Sequence, residues 1–185
     1  KHIVYGSKTC LDFVNTYFML LNYWSLVESN RIAREKNATF YNFKKSDYYN
    51  GKYFTKYLKH YWGPQTDKVK ALFKGQFIPG PQDWRKLMDA VHQFGLYNEE
   101  RLSCAPNGST GFVGNSSSSL HEATQRIVNR YESKVGSIFY PMPYLRNDTI
   151  KYYTSAYDDS AINEINVYAT AQQHVDQGMS LTLFM

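Results

Sequence analysis

The sequence predicts an α/β fold in which helices alternate with short strands that pair in parallel. Three observations lead to this prediction. The chain of 185 residues is 43% hydrophobic and 20% charged, a composition that can bury a core and argues against disorder. Apolar residues recur at steps of three and four in several long segments. Short apolar runs lie between those segments, and this alternation favours parallel pairing.

Residues 7–37 make the longest predicted helix. Apolar side chains recur along it as one stripe: Cys10, Phe13, Val14, Tyr17, Leu20, Leu21, Trp24 and Val27. Such a stripe is typical of a helix that lies on a core. Basic residues crowd its last turns, where they favour the helix dipole. We therefore expect one amphipathic helix that ends near Asn37.

Residues 39–61 are dense in tyrosine, phenylalanine and lysine, with Asn50-Gly51 as a turn signal. We predict an irregular segment here. Aromatic rings among lysines could stack nucleic-acid bases. A loop whose rings pack on its own domain is the favoured interpretation.

The remaining elements follow in order, and we find no internal repeat. The predicted helices cover 66–73, Pro81 to about Phe94 with Gly95 as the terminating residue, about 120–130, and 160–177 ending at Gly178. Ser119 with Glu122 has the form of a capping box for the third of these. The predicted strands cover 101–105, 137–140 and 180–184.

The turn at 106–111 is the best candidate for chemistry. An anion such as a diphosphate needs several converging donors, and glycine lets backbone amides approach closely. Asn107, Ser109 and Thr110 add side-chain donors, and a following helix adds free amides and its dipole. A plain connecting turn is the simpler interpretation, since the segment is not a Walker motif.

Other polar residues have structural explanations from sequence. We interpret Glu122 as a cap and His121 as a polar neighbour, because adjacent helical residues point in different directions. His174 near Asp176 indicates a structural hydrogen bond. Cys10 lies on the apolar stripe and is expected to be a buried thiol, and Cys104 is likewise taken as structural.

Composition excludes several classes of protein. The mean hydropathy is −0.54, so no membrane span is expected. Two cysteines make a disulfide scaffold improbable, and no Cys/His spacing indicates a metal site. The net charge of +5 suits an anionic ligand or an ordinary surface. The chain begins at Lys1 without a signal peptide and stops after a strand-like run, so we expect a cytoplasmic protein and a fragment.

Several stretches, in order along the whole chain, resemble the large (alpha) subunit of class Ib ribonucleoside-diphosphate reductase. They are SNRIARE (29–35) with TF (39–40), KVKALF (68–73), RL (101–102) leading to APNGS (105–109), YPMP (140–143), YYTSAYD (152–158) and HVDQGMSLTLF (174–184). The resemblance implies that residues 1–185 are a partial C-terminal barrel domain. That family folds as a ten-stranded α/β barrel of two five-stranded halves, with parallel strands and connecting helices, and this chain would be a stretch of the C-terminal half.

The resemblance also implies a function. The family reduces ribonucleoside diphosphates to deoxyribonucleoside diphosphates for DNA synthesis, by a thiyl-radical mechanism. Its substrate diphosphate is held by the loop that matches Pro106, Asn107, Gly108, Ser109 and Thr110. The implied partners are the ribonucleoside diphosphate, the remaining large-subunit segments and the small radical-generating subunit, and neither nucleic acid nor a membrane. The complete enzyme would need a dimetal radical small subunit, a thiol reductant and nucleoside triphosphate effectors.

The departures from the family define what this chain is not expected to do. Neither Cys10 nor Cys104 matches the radical cysteine or the reducing pair, and the tandem tyrosines of the radical relay have no equivalent. Glu122 stands where close relatives would have proline. We therefore expect no catalytic residue, bound cofactor or metal in this segment, and an isolated chain that is inactive. The alternatives are a non-catalytic phosphate- or nucleotide-binding module and a structural remnant.

Overall fold

The longest element is helix α1 (Lys8–Lys36), which confirms the predicted helix over 7–37. The structure is a computed structural model and describes residues 2–105, 107–133 and 136–184. The buried face of α1 carries Met19, Tyr23 and Leu26. The predicted stripe is therefore only partly right, because Tyr17 and Trp24 are about half exposed, at 47% and 51%.

Polar residues on the buried face of α1 explain the difference. Asn22 is fully buried, and its Nδ2 donates to the Tyr57 hydroxyl at 2.9 Å. Asn30 is buried as well, and its Nδ2 donates to the carbonyls of Ala90 and Gly95. Because these amides have partners, their burial carries no large desolvation cost. A pattern of apolar residues cannot predict that polar residues of α1 are buried while some of its aromatic residues are exposed.

The aromatic segment is irregular, as predicted. It contains 3₁₀ turns at Phe43–Lys45 and Lys52–Phe54, followed by the short helix α2 (Thr55–Lys59). Phe43, Phe54 and Tyr57 belong to a hydrophobic core together with residues of α1 and of the helix that begins at Pro81. The Tyr57 ring stacks on the Trp84 indole with centroids 3.8 Å apart. The packed-loop interpretation is thus confirmed.

Two further helices agree with the sequence prediction. Helix α3 spans Asp67–Leu72 and helix α4 spans Pro81–Phe94. Pro81 occupies the first turn of α4, and the Asp83 carboxylate accepts the Gly80 amide at 3.0 Å. Gly95 ends the helix with φ of +82°, a left-handed conformation that side chains with a Cβ rarely adopt.

The predicted helix over 120–130 is wrong. Strand β1 (Ile127–Glu132) occupies its second half and pairs antiparallel with β2 (Gly136–Pro141), Ile127 facing Pro141. The chain before β1 is held by long-range bonds: the Met142 amide donates to the Arg126 carbonyl at 2.9 Å, and the Ala156 amide to the Ala123 carbonyl at 3.0 Å. Because these backbone groups bond to distant residues, the segment does not form the helix that the Ser119–Glu122 capping-box pattern predicted.

The predicted parallel pairing is also not found in the described residues, whose one sheet consists of β1 and β2. The strand predicted at 137–140 lies in β2, whereas the runs 101–105 and 180–184 form no strand. In the first run, the amides of Arg101 and Leu102 donate to the Asp176 carboxylate, at 2.7 and 3.1 Å, rather than to a neighbouring strand.

Helix α5 covers Gly108–Val113, and the last helix, α6, covers Ala161–Gln172. The prediction of a helix to Gln177 was too long. His174 lies beyond the helix with its side chain buried, and this segment bonds to side chains of its own unit instead of continuing the helix. None of the helices in the described part of the chain combines the length and apolar character that a bilayer crossing needs.

The chain divides into two compact units. The first unit contains Lys1–Leu11, Cys104–Ala169 and Met179–Met185, and therefore α5, β1, β2 and most of α6. The second unit contains Asp12–Ser103 and Thr170–Gly178, with most of α1 and all of α2 to α4. The described part of the predicted diphosphate loop, residues 107–110, lies in the first unit, and the aromatic core lies in the second.

Candidate functional site

The predicted diphosphate loop leads into the first turn of α5. Pro106 lies outside the described residues, and so does the Ser109 side chain. The Asn107 amide donates to the Ser118 carbonyl at 2.9 Å, so this amide already has a partner within the protein. The amides of Gly108, Ser109 and Thr110 occupy the first turn, where helical geometry provides no intrahelical acceptor. Thr110 is exposed.

The chain after α5 folds tightly back onto it. The Ser116 amide donates to the Gly111 carbonyl at 2.9 Å, and the Gly114 amide donates to the Thr110 carbonyl at the same distance. Gly111 is buried, and a Cβ there would lie 3.2 Å from the Ser116 carbonyl oxygen. Since that oxygen is backbone and cannot swing away, the position favours glycine. The serine run is thereby placed beside the loop.

A cavity of about 650 Å³ opens next to this turn. Its lining includes Gly111, Gly114 and residues 115–119, and also Val128, residues 140–144 and Tyr153. Its volume lies in the range of small-molecule sites. The mixture of hydroxyl groups with an apolar Pro-Met-Pro floor suits a ligand that has both polar and ring-shaped parts.

The cavity brings together segments that are far apart in sequence. The end of β2 and Tyr153 belong to two of the stretches that carried the resemblance, and here they meet the turn after α5. The Tyr153 hydroxyl donates to the Pro143 carbonyl, which holds the floor in place. Gly111, which follows the loop directly, lines this cavity, whereas Asn107 and Thr110, the loop residues with described side chains, do not. Sequence reasoning had singled out the loop but not the cavity.

Glu122 and His121 also line the cavity, although not in the predicted capping role. His121 Nδ1 donates to the Glu122 carbonyl at 2.6 Å. Burial, and then the nearby Asp159, raises the pKa of the Glu122 carboxyl to about 8. A carboxyl group in that range holds its proton near neutral pH. Its chemistry is therefore that of an acid and not of a helix cap.

Both cysteines are free thiols. Cys10 is buried, as predicted, and burial raises its pKa. Cys104 is half-buried, and burial raises its pKa as well. A raised pKa leaves less of the nucleophilic thiolate, so neither thiol has the environment of a reactive cysteine. The structural interpretation of both residues is supported.

His174 and Asp176 lie in the second unit and are structural, but they are not partners of each other. His174 Nε2 donates to Asn15 Oδ1 at 3.0 Å, and its Nδ1 accepts from the Tyr57 hydroxyl at 2.9 Å. This pattern defines a neutral ring. Asp176 forms an ion pair with Arg101 at 2.7 Å, with both side chains almost completely buried. In the described residues no group of three His, Cys, Asp or Glu side chains could hold a metal ion.

Comparison with known proteins places these segments in one family. The family model described as ribonucleotide reductase, barrel domain, matches residues 1–185. The chain is 43% identical over 185 residues to the ribonucleoside-diphosphate reductase NrdEB subunit alpha of Bacillus subtilis strain 168, covering 100% of this chain and 17% of that protein.

Two further relatives agree. The ribonucleoside-diphosphate reductase subunit alpha of the same organism is 39% identical over 183 residues, covering 99% of this chain and 26% of that protein. The subunit alpha of Mycoplasma pneumoniae is 38% identical over 191 residues, covering 100% of this chain and 26% of that protein. The chain thus spans between 17% and 26% of the length of these relatives, and the large-subunit resemblance read from the motifs is confirmed.

Proposed function

The chain belongs to the ribonucleotide reductase barrel-domain family, and on this premise we propose that it is a segment of the large subunit that reduces ribonucleoside diphosphates to deoxyribonucleoside diphosphates. Its own contribution is to bind the diphosphate of the substrate. The residues proposed to hold it are Pro106, Asn107, Gly108, Ser109 and Thr110. The observation that carries this proposal is the position of the loop, at the first turn of α5 beside a cavity of about 650 Å³.

The chemistry of the loop suits an anion. The amides of the first turn of α5 need acceptors from outside the helix, and a phosphate oxygen is a strong acceptor that the positive end of the turn favours. The exposed Thr110 adds a hydroxyl donor. The Asn107 amide is already bonded to Ser118, so Asn107 would contribute through its side chain.

The adjoining cavity supports the same ligand class. It is large enough for a nucleoside, and its wall combines serine hydroxyls with the Tyr140 to Pro143 floor. A diphosphate at the loop would place the attached nucleoside toward this cavity. Binding and orientation are thus the steps assigned to this chain.

The radical and reducing steps are assigned to other parts of the complete enzyme. Burial raises the pKa of both Cys10 and Cys104, and in the described residues no side-chain cluster fits a metal. We therefore derive no redox step here. The proposed partners are the remaining large-subunit segments and a small radical-generating subunit. A dimetal radical cofactor in that subunit, a thiol reductant and triphosphate effectors would serve the complete enzyme, which we place in the cytoplasm.

The architecture of the complete subunit is proposed on the same basis. Residues 1–185 would form part of the C-terminal half of a ten-stranded α/β barrel. The runs 101–105 and 180–184 would become strands only beside neighbours that supply backbone partners, because a ladder needs two strands. Such neighbours would come from large-subunit polypeptide outside this sequence.

Activity is tested with the isolated chain and with the complete large subunit. The chain alone should show no reduction of a ribonucleoside diphosphate when the small subunit and a dithiol reductant are supplied, whereas the complete subunit should turn over. Product is measured by chromatography of the nucleotides. Turnover by the chain alone would contradict the division of labour proposed here.

The loop is tested by calorimetric titration of the chain with a ribonucleoside diphosphate. Replacing Ser109 and Thr110 by alanine removes two hydroxyl donors and should weaken binding about tenfold or more. The matched control replaces the exposed Ser137 and Thr154 by alanine and should leave the affinity unchanged. Equal affinity of all three proteins would refute the site, and circular dichroism of each confirms that the comparison is between folded chains.

A further inference from the structure

A second, much smaller cavity in the first unit is surrounded by acids. It measures about 10 Å³ and is lined by Tyr5, Glu122, Ala156, Asp159, Ser160 and Glu164. Its volume is about that of one water-sized probe. The lining residues come from the amino-terminal turn, the segment before β1, the turn before α6 and α6 itself.

Four buried polar atoms around this cavity have no hydrogen-bond partner in the protein. They are Tyr5 Oη, Glu122 Oε2, Asp159 Oδ2 and Glu164 Oε1. Glu164 is 95% buried, since only 5% of its surface is exposed. Leaving a buried donor or acceptor unmatched destabilises the folded state, because the group has lost its water without gaining a partner. Four such atoms at one place therefore point to a ligand that they share.

The carboxyl groups of Glu122 and Asp159 lie within hydrogen-bonding reach of each other. Two ionised carboxylates only accept hydrogen bonds, so this contact requires a proton between them. One proton supplies a partner to both oxygens. A water molecule in the cavity can accept from the Tyr5 hydroxyl and donate to Glu164 Oε1, which satisfies the other two atoms.

We propose that Glu122, Asp159 and Glu164 form a proton-holding carboxyl cluster around one buried water, and that loss of the shared proton releases the amino-terminal turn at Tyr5 and Gly6 from α6. The inference is independent of the diphosphate loop. It assigns a binding site for a proton and a water molecule that also links the amino-terminal turn to the rest of the first unit.

The contact between the turn and α6 explains why the cluster would control it. Gly6 has φ of +65°, and a Cβ built there would lie 2.4 Å from the Asn163 side chain. Asn163 Nδ2 in turn donates to Asp159 Oδ1 at 2.9 Å. Asn163 therefore connects the turn to the acid pair. Charge repulsion within the pair would move Asp159 and with it the surface on which Gly6 rests.

The charged and titratable groups that face the cluster come from every element packed on it: Tyr5, Cys10, His121, Tyr168 and the three acids. Among these described groups, His121 opposes the acids, because its interaction with Glu164 lowers the pKa of that carboxyl. Burial, the larger effect, raises that pKa, and burial followed by Asp159 raises the pKa of Glu122 to about 8.

The direction of the pH effect follows from these shifts. The folded state binds the proton more tightly than the unfolded state, whose glutamate pKa is about 4.3. Stability from the cluster is therefore complete below that pKa and falls as the pH rises towards about 8. Opening of the amino-terminal turn should become easier by up to roughly tenfold per pH unit in this window.

The test is hydrogen exchange of the amides of residues 3–11 in the whole chain, between about pH 6 and about pH 9 and corrected for intrinsic exchange. We expect protection to fall at least tenfold across this range in the unaltered chain. Glu122→Gln, which is permanently neutral, should abolish the fall. Asp158→Asn, which removes the neighbouring exposed carboxylate, should retain it. Constant protection in the unaltered chain, or equal behaviour of the two variants, overturns the proposal.

Infrared spectroscopy and the addition of divalent cations test the proposal in two further ways. The unaltered chain at about pH 7 should show the infrared carbonyl band of a protonated carboxylic acid, and its absence overturns the proposal even where the Glu122→Gln chain does not fold. Added Mg²⁺ or Ca²⁺ should not restore protection at about pH 9. Restoration would make the ligand a cation instead of a proton and would also overturn the proposal.

Discussion

Removal of the Asp176 carboxylate should strongly destabilise the second unit. Its oxygens accept four hydrogen bonds: from the Arg101 guanidinium at 2.7 Å, from the amides of Arg101 and Leu102 at 2.7 and 3.1 Å, and from the Tyr48 hydroxyl at 3.2 Å. The side chains of Arg101 and Asp176 are only 3% and 6% exposed. Asp176→Ala would leave two amides without an acceptor and the buried Arg101 cation without its counter-ion, although Ser25 and Asn22 still accept from the guanidinium.

The magnitude follows from the partners that are lost. Removing one member of a buried ion pair costs about 3–5 kcal/mol, because the remaining charge stays desolvated. Each unmatched amide would add about 1–3 kcal/mol, but losses that share one site do not add fully. We expect the free energy of unfolding to fall by about 4 kcal/mol, a large part of the about 5–15 kcal/mol typical of a domain.

The assay is urea unfolding followed by tryptophan fluorescence, since Trp62 and Trp84 lie in the second unit. The control is Asp67→Ala, which removes an exposed pair with Lys70 at 3.9 Å and should cost less than about 1 kcal/mol. A loss below about 1 kcal/mol in Asp176→Ala, with an unchanged dependence on urea, would refute the reasoning. It would mean that water or a rearranged Arg101 replaces the carboxylate.

Two further predictions concern the second unit. Burial, and then the charge of Lys56, lowers the pKa of His174 to about 3, whereas the pKa in the unfolded state is about 6.5. The contribution of His174 to stability should therefore be complete above about pH 6.5. Below that pH the free energy of unfolding should fall by up to about 1.4 kcal/mol per pH unit. Urea unfolding at several pH values should show this slope, and His174→Gln should flatten it; an equal slope in both proteins would contradict the assignment. Gly95→Ala should lower the melting temperature and cost more than about 1 kcal/mol, because φ is +82° and the new Cβ would lie 2.2 Å from Thr39. Gly178→Ala, with nothing within 4 Å of the new Cβ, is its control, and equal melting of the two variants would argue against the strain.

Local sequence signals were sufficient to predict an element whose backbone hydrogen bonds lie within the element itself. Helix α1 was predicted from periodicity alone, and α4 from Pro81 and Gly95, because capping residues act within one turn of the helix. The aromatic segment was also predicted correctly as a packed loop. Its rings have no helical or strand period, and Asn50-Gly51 marks a turn.

The wrong predictions share one cause: the backbone and side-chain groups concerned interact with residues that are distant in sequence. Residues 120–130 carried a capping-box pattern, yet Ala123 and Arg126 bond to Ala156 and Met142. The pKa of the partly buried Glu122 is raised by burial and then by Asp159 and Glu164, which come from the turn before α6 and from α6. The sequence pattern around Glu122 contains no sign of either neighbour.

The sequence by itself determined the long helix, the helix ends at proline and glycine, and the family, because these depend on residues within a few positions of one another or on an ordered set of motifs. Only the tertiary structure decided which face of α1 is buried, that residues 127–132 form a strand, and that Asp176 forms an ion pair with Arg101. Those outcomes depend on pairing buried polar groups across long sequence separations, where the cost of an unmatched donor or charge outweighs local preference.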